Sequence, residues 1–185
     1  MPKGTPLSAL TLTAVKVFWS FVLVLIRTAR PTDYRAVEKI DAVIYADHAK
    51  ERPDLFDPAF TNTISQEAYN NFLGTSDCTV LVAEHDDGNV VGFANIYVED
   101  LSGRVWSPHK KRAEIDSIGV LTEYQGQGVG AALISAANLW AHNKSATYIR
   151  LTVHAFNERA RAMYEREGFT AERIIMTKDL RAPHV

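Results

Sequence analysis

The sequence predicts an α/β fold: a single mixed, mostly antiparallel sheet flanked by helices. Three observations carry the prediction. Between Ala113 and Lys144, a strand-like alternation gives way to Gly126, Gly128 and Gly130, then to helical spacing of Val129, Leu133, Ala136, Ala137 and Trp140. Upstream, Cys78–Ala83 and Val90–Val98 are rich in β-formers and flank Asp86-Asp87-Gly88-Asn89, a hairpin turn in which glycine supplies a positive φ. The whole chain reads β-α-α-β-β-β-α-β-α-β, without repeat, linker or low-complexity tract.

A chain of 185 residues suits one domain. A net charge of -2 argues against a surface that tracks nucleic-acid phosphates. Cys78 stands alone and the six histidines are scattered, so neither a disulfide framework nor a metal spacing is present. This usage fits a reducing, cytoplasmic compartment.

Residues 1–21 read as an apolar extension of uncertain role and 22–185 as the domain. The run from Leu7 to Ile26 reaches the length of a bilayer span, about 20 residues. Lys16 in its middle would cost about 3 kcal/mol on insertion, and no small-residue cleavage site precedes Arg27. Three readings stay open: a membrane anchor, an amphipathic helix packed on the domain or a partner, and an artefact of the assigned start. The last has a motive, because Val22–Ala29 already reads as a first strand, and the soluble readings together are preferred. Asp33 is placed to cap a helix with the apolar stripe Ala36, Ile40, Val43 and Ile44, interrupted near Glu51-Arg52-Pro53-Asp54. A second helix is expected over Ser65–Leu73 and a loop over Leu101–Lys111. Then come the central strand and helix, a strand at Tyr148–Val153 and a helix at Asn157–Glu167 stopped by Gly168. Ala171–Met176, with Asp179-Leu180 beyond it, is expected to close the sheet.

Strand, glycine turn and helix start together form an anion cradle, because a helix N-terminus offers unpaired N–H groups and partial positive charge. A dinucleotide fingerprint does not fit: the third glycine comes one residue early and no acid lies between Ala141 and Ile149. A P-loop does not fit either, since no lysine follows the glycines. Gln125, Gly128 and Gly130 do match Gln/Arg-x-x-Gly-x-Gly/Ala, and Asn157, Ala160, Tyr164, Gly168 and Phe169 match Asn-x-x-Ala-x-x-x-Tyr-x-x-x-Gly-Phe. With both motifs in this order, the chain from Val22 to Leu180 resembles the GNAT superfamily of acetyl-CoA-dependent N-acetyltransferases. Arg52-Pro53-Asp54 and the stretch Met176 to Leu180 are similar to a bacterial branch of it.

The resemblance implies a set of contacts. Acetyl-CoA would meet the backbone of Gln125, Gly126, Gln127, Gly128, Val129 and Gly130. Pantetheine would run along Ile118, Gly119 and Val120, where the family splays two strands and a backbone N–H faces the developing oxyanion. Asn157, Ala160 and Tyr164 would complete the cofactor contacts, and Tyr164 would be the acid that protonates the departing thiolate. The residue itself also reads as a core tyrosine on an apolar helix face. Gly119 inside a strand signals a bulge or a close approach.

An amine acceptor with a pKa near 10 arrives protonated, and deprotonating it at pH 7 costs about 4 kcal/mol. Glu114 and Asp116, two apart on one strand, would share a face about 7 Å apart and raise one pKa by repulsion. Either is a candidate base, as His154 and His48 are more weakly, and both acids also read as exposed edge charges. Cys78 lies outside the motifs, which speaks against a covalent acetyl-enzyme. The function expected is direct transfer of acetyl from acetyl-CoA to a primary amine, with no metal and no nucleic-acid partner. The alternatives are a non-catalytic CoA-binding or interaction module and an acetyltransferase acting on a protein N-terminus or lysine. A homodimer and membrane contact through residues 7–26 are left open. Acceptor choice should rest on Glu51–Phe60 and Leu101–Lys111.

Overall fold

The computed structural model describes residues 15–19, 22–60, 64–105, 107–178 and 180, and divides into two compact units at Thr152/Val153. The first unit carries a six-stranded sheet whose spatial order is the chain order. Its strands are β1 (Val15–Trp19), β2 (Val22–Thr28), β3 (Cys78–His85), β4 (Val90–Asp100), β5 (Lys111–Val120) and β6 (Tyr148–Leu151). Every neighbouring pair is antiparallel except β5 and β6, which are parallel. That one parallel pair needs a crossover, supplied by α3 (Val129–Asn143). Helices α1 (Tyr34–Glu51) and α2 (Gln66–Gly74) precede β3. Ser65 caps α2 through its hydroxyl, which accepts from the Ala68 N–H.

Helices cover the two faces of the sheet separately. Val37 and Ile40 of α1 and Tyr69 of α2 pack with Val80, Val82 and Phe93. Phe93 lies opposite Gly119 in register, and an ideal Cβ built on Gly119 would lie 2.0 Å from Ile44 Cδ1. Gly119 is therefore glycine because α1 presses on β5 there. A Cβ on Gly92, one residue before Phe93, would instead meet Leu133 Cδ1 of α3 at 3.2 Å. Neighbouring strand residues point to opposite faces, so α1 and α3 sandwich the sheet.

Several expectations change. Val15–Trp19 is a strand paired to β2, so a helical reading of the leading segment does not hold for these residues. The rest of it, 1–14 and 20–21, lies outside the described residues. No helix among the described residues is long and apolar enough to cross a membrane. Asp33 does not cap α1 with its side chain. Its carboxylate turns back to accept from the Arg30 N–H (2.7 Å) and from Arg27 (2.7 and 3.1 Å), because a buried guanidinium outcompetes a helix end. The α1 stripe is set by Tyr34, Val37, Ile40 and Ala49, with Ala36, Val43 and Ile44 half-buried.

Residues 171–178 form no strand, and Ile174, Ile175 and Met176 are exposed. A β-prone run without a ladder partner has no hydrogen bonds to hold it extended. Asp179 lies outside the described residues.

Candidate active site

The stretch expected to form an anion cradle follows β5. A 3-10 turn at Thr122–Tyr124 leads to Gln125. Gly126 and Gly128 then take φ of 78° and 86°, a region that strains any residue with a Cβ. Gln125 Nε2 donates to the Val120 carbonyl (3.0 Å) and Gln127 Nε2 to the Glu123 carbonyl (2.6 Å). Both amides thus brace the turn from behind. Gly128 is the N-cap of α3 and offers no side chain, and no acidic residue sits in the first turn. The positive end of the helix is left uncompensated, as an anion site requires. Val129 is buried and pins that end, while Gly130 lies in the first turn, half-buried.

The strand carrying the acids is shaped by a mismatch. β5 pairs with β4 along its length, but with β6 only from Arg112↔Tyr148 to Ile115↔Leu151. Beyond Ile115, its β6-side edge has no strand partner among the described residues, and Ile118, Gly119 and Val120 lie on this open stretch. The β4 register jumps from Ile96↔Ile115 to Asn95↔Ser117, so Asp116 is the extra residue of a β-bulge. The irregularity that glycine signalled at 119 therefore lies three residues earlier, and Gly119 marks the close approach of Ile44.

The two carboxylates have separate surroundings. Glu114 accepts from Arg150 on β6 (Nη2 2.5 Å, Nε 3.1 Å), with Arg112 Nη2 at 3.6 Å. Asp116 is exposed by surface area yet crowded on its inner side. That crowding first, then the charges of Glu114 and Asp41, raise its pKa above the ordinary carboxylate value. Asp41, half-buried on α1, accepts from the Ser117 hydroxyl (3.2 Å). Asp41, Asn95 and Ser117 carry no signal in the sequence, since an acid inside an amphipathic helix looks like any solvent-facing charge.

The second unit holds the other motif. Asn157 Oδ1 accepts from the Ala160 N–H (3.0 Å), capping α4 (Glu158–Arg166), so the Asn-x-x-Ala spacing is that of an N-cap. Tyr164 is buried, with its ring 5.9 Å from Phe169 in an edge arrangement, and burial pushes its pKa up to about 12. Gly168 has φ of 89° and ends the helix.

The weaker candidates are engaged elsewhere. His48 Nδ1 lies 2.7 Å from the Ile44 carbonyl, and His154 stacks on Phe156 at 5.3 Å. Cys78 is half-buried two strands from Glu114 in register, and burial, then Asp77, push its thiol up. Among the described residues, no group of His, Cys, Asp and Glu is placed to hold a metal.

Comparison with known proteins bears on the fold and the family. Residues 44–169, more than half of the chain, match the model of the Acetyltransferase (GNAT) family. A mycothiol acetyltransferase of Propionibacterium freudenreichii is 38% identical over 49% of this chain and 27% of its own length. The chain thus spans about a quarter of the mycothiol acetyltransferases it matches. An N-acetyltransferase of Archaeoglobus fulgidus is 31% identical over 60% of this chain and 73% of its own. Among solved structures, a variant of the BH1408 protein of Bacillus halodurans superposes with a TM-score of 0.79 at 24% identity, covering 84% of this chain and 98% of that one. An aminoglycoside N-acetyltransferase in complex with CoA superposes with a TM-score of 0.57 at 19% identity, covering 83% and 98%. These likenesses show the fold, and the family match fixes the kinship: the chain belongs to the GNAT acetyltransferase family.

Proposed function

We propose that this protein transfers the acetyl group of acetyl-CoA to a primary amine in a direct ternary complex, in a cytoplasmic setting, with a small-molecule acceptor. The observation that carries the reading is the positive-φ glycine turn opening onto the uncapped end of α3, directly after the strand that bears Asp116. The turn fits a pyrophosphate, and the open stretch of β5 fits a pantetheine chain offered backbone groups. The cosubstrate supplies a thioester whose C–S bond breaks as the amide C–N bond forms.

The protein's own part is proton handling and positioning. Asp116 takes the ammonium proton, because its raised pKa and lack of a basic partner among the described residues suit a base better than Glu114, which Arg150 holds. Tyr164 gives its proton to the sulfur; a phenol with a pKa of about 12 stays protonated at neutral pH. Residues 22–185 are taken as the catalytic domain. The named relatives suggest a mycothiol-type amine and an aminoglycoside for the acceptor panel.

Gly128→Val tests the reading. A Cβ at φ of 86° strains the turn and crowds the N–H groups. We expect the KM for acetyl-CoA, followed by thiol release, to rise tenfold or more in a variant whose circular dichroism is unchanged. Unchanged KM in such a variant would remove the phosphate role of the turn.

A further inference from the structure

Two carboxylates on the α1 face of β5 lie close together without a counter-ion. Asp41 accepts a hydrogen bond from the Ser117 hydroxyl, and among the described residues neither Asp41 nor Asp116 pairs with a basic side chain. The third acid nearby, Glu114, is already matched by Arg150. Asn95 adds an independent signal. It is 6% exposed, and its buried Oδ1 has no hydrogen-bond partner among the described residues. Its register partner is Ser117, and Phe93, two residues before it, packs against Val37 and Ile40 of α1. Alternation therefore turns Asn95 to the face that carries Ser117 and Asp41. A buried acceptor left without a donor is costly, and native proteins leave few of them. The unpartnered Asn95 Oδ1 is an acceptor, as are both carboxylates, and among the described residues no basic side chain pairs with either charge. The complement is a molecule rich in N–H donors and carrying more than one positive charge.

We infer that the acceptor is a diamine or longer polyamine, with one ammonium facing Asp116 and a second, unreacting ammonium held by Asp41 and the Asn95 carbonyl. The inference rests on the acetyltransferase reading above and extends it to substrate class. Asp41 is then a specificity-determining residue. It lies on α1, outside the motif strand, and acts through charge on the distal end of the substrate. A carboxylate at that distal end would be repelled. A single-charged alkylamine would leave Asp41 and Asn95 unsatisfied.

The test compares n-butylamine, 1,4-diaminobutane and 4-aminobutanoate as acceptors for the full chain at one pH and low salt, read by thiol release, in wild type and Asp41→Asn. Expected is a diamine kcat/KM at least tenfold above that of butylamine, with 4-aminobutanoate poorest. Asp41→Asn should collapse the diamine-to-monoamine ratio by roughly ten- to a hundredfold. It should also move the acid limb of the pH profile down, since one like charge beside Asp116 is gone. Equal use of mono- and diamine by wild type, or a ratio unmoved by Asp41→Asn, overturns the inference while leaving acetyl transfer standing. If no amine is turned over, the transfer reading fails instead, and calorimetric titration with 1,4-diaminobutane decides. Binding that Asp41→Asn weakens tenfold or more keeps the polyamine site, and absence of binding removes it.

Discussion

Glu114 and Asp116 stand two positions apart on one strand and meet opposite electrostatics. Arg150 and Arg112 surround the first, whereas Asp116 faces Glu114 and Asp41 and is crowded by protein. The other titratable neighbours are Tyr97, opposite Glu114, whose pKa rises with burial and with both acids, and the Arg150 guanidinium. A base works only when deprotonated, so the acid limb of kcat/KM should lie above the ordinary carboxylate range. In Asp116→Asn that limb should vanish, with activity falling roughly 10²-fold at neutral pH and recovering as the amine deprotonates unaided. A limb that survives in Asp116→Asn and disappears in Glu114→Gln would return the role to Glu114. The same charge has a stability sign. For an acid whose folded pKa is raised, the unfolded state holds fewer protons, so stability falls as pH rises from the unfolded to the folded value. Asp116→Asn should accordingly raise the Tm at pH 7. Tyr164→Phe keeps the ring against Phe169 and removes the proton. Expected is a kcat lower by roughly 10² to 10⁴ with KM for acetyl-CoA little changed; full activity would leave Tyr164 as a packing residue. The difference between the two acids was invisible in the sequence, because the arginine that decides it lies 36 residues away on another strand.

At the level of elements, Arg27 does for β2 what no apolar residue could. Its guanidinium, nearly buried, joins Asp33 at the start of α1 (2.7 Å) to Glu84 on β3 (2.6 Å). Removing one member of a buried network strands the others, so Arg27→Met should cost about 3 kcal/mol by urea denaturation. Burial pushes the Asp33 carboxyl up, but hydrogen bonds from Arg27 and the Arg30 N–H outweigh it and hold it below the ordinary value. Its contribution is present above the unfolded pKa and is lost as pH falls through the folded one. The wild type should therefore resist acid further than Arg27→Met, and coincident acid transitions would contradict the network. Elements with local signals were legible: the Asp86–Asn89 hairpin, the second helix beginning at about Ser65 and the Gly168 stop each need only their own neighbours. Elements set by distant partners were not. The bulge at Asp116 comes from the register with β4, and the run at 171–176 looks like a strand wherever an edge would accept it.

Across the molecule, the sheet is laid down in the order in which it is spelled, β1 through β6, with α1 and α2 already in place before β3 begins. Each strand needs only its predecessor, and Val37, Ile40, Tyr69, Val80, Val82 and Phe93 of the α1-side layer all precede β5, which adds the Gly119 approach and Leu121 afterwards. Pairing with immediate neighbours keeps loop-closure costs low. A chain still tethered to a ribosome could therefore build this half while the glycine turn and α3 are unmade, at a synthesis pace of roughly 5–20 residues per second. Stalled nascent chains exposed to protease should gain protection in the α1–β4 segment once Asp100 has cleared the exit tunnel. Protection that waits for Leu151 would show that the parallel β5–β6 pair is required first. On the vectorial route, the turn proposed to hold cosubstrate is added after the α1-side half, so a chain caught half-made would carry that layer with no catalytic turn to misuse.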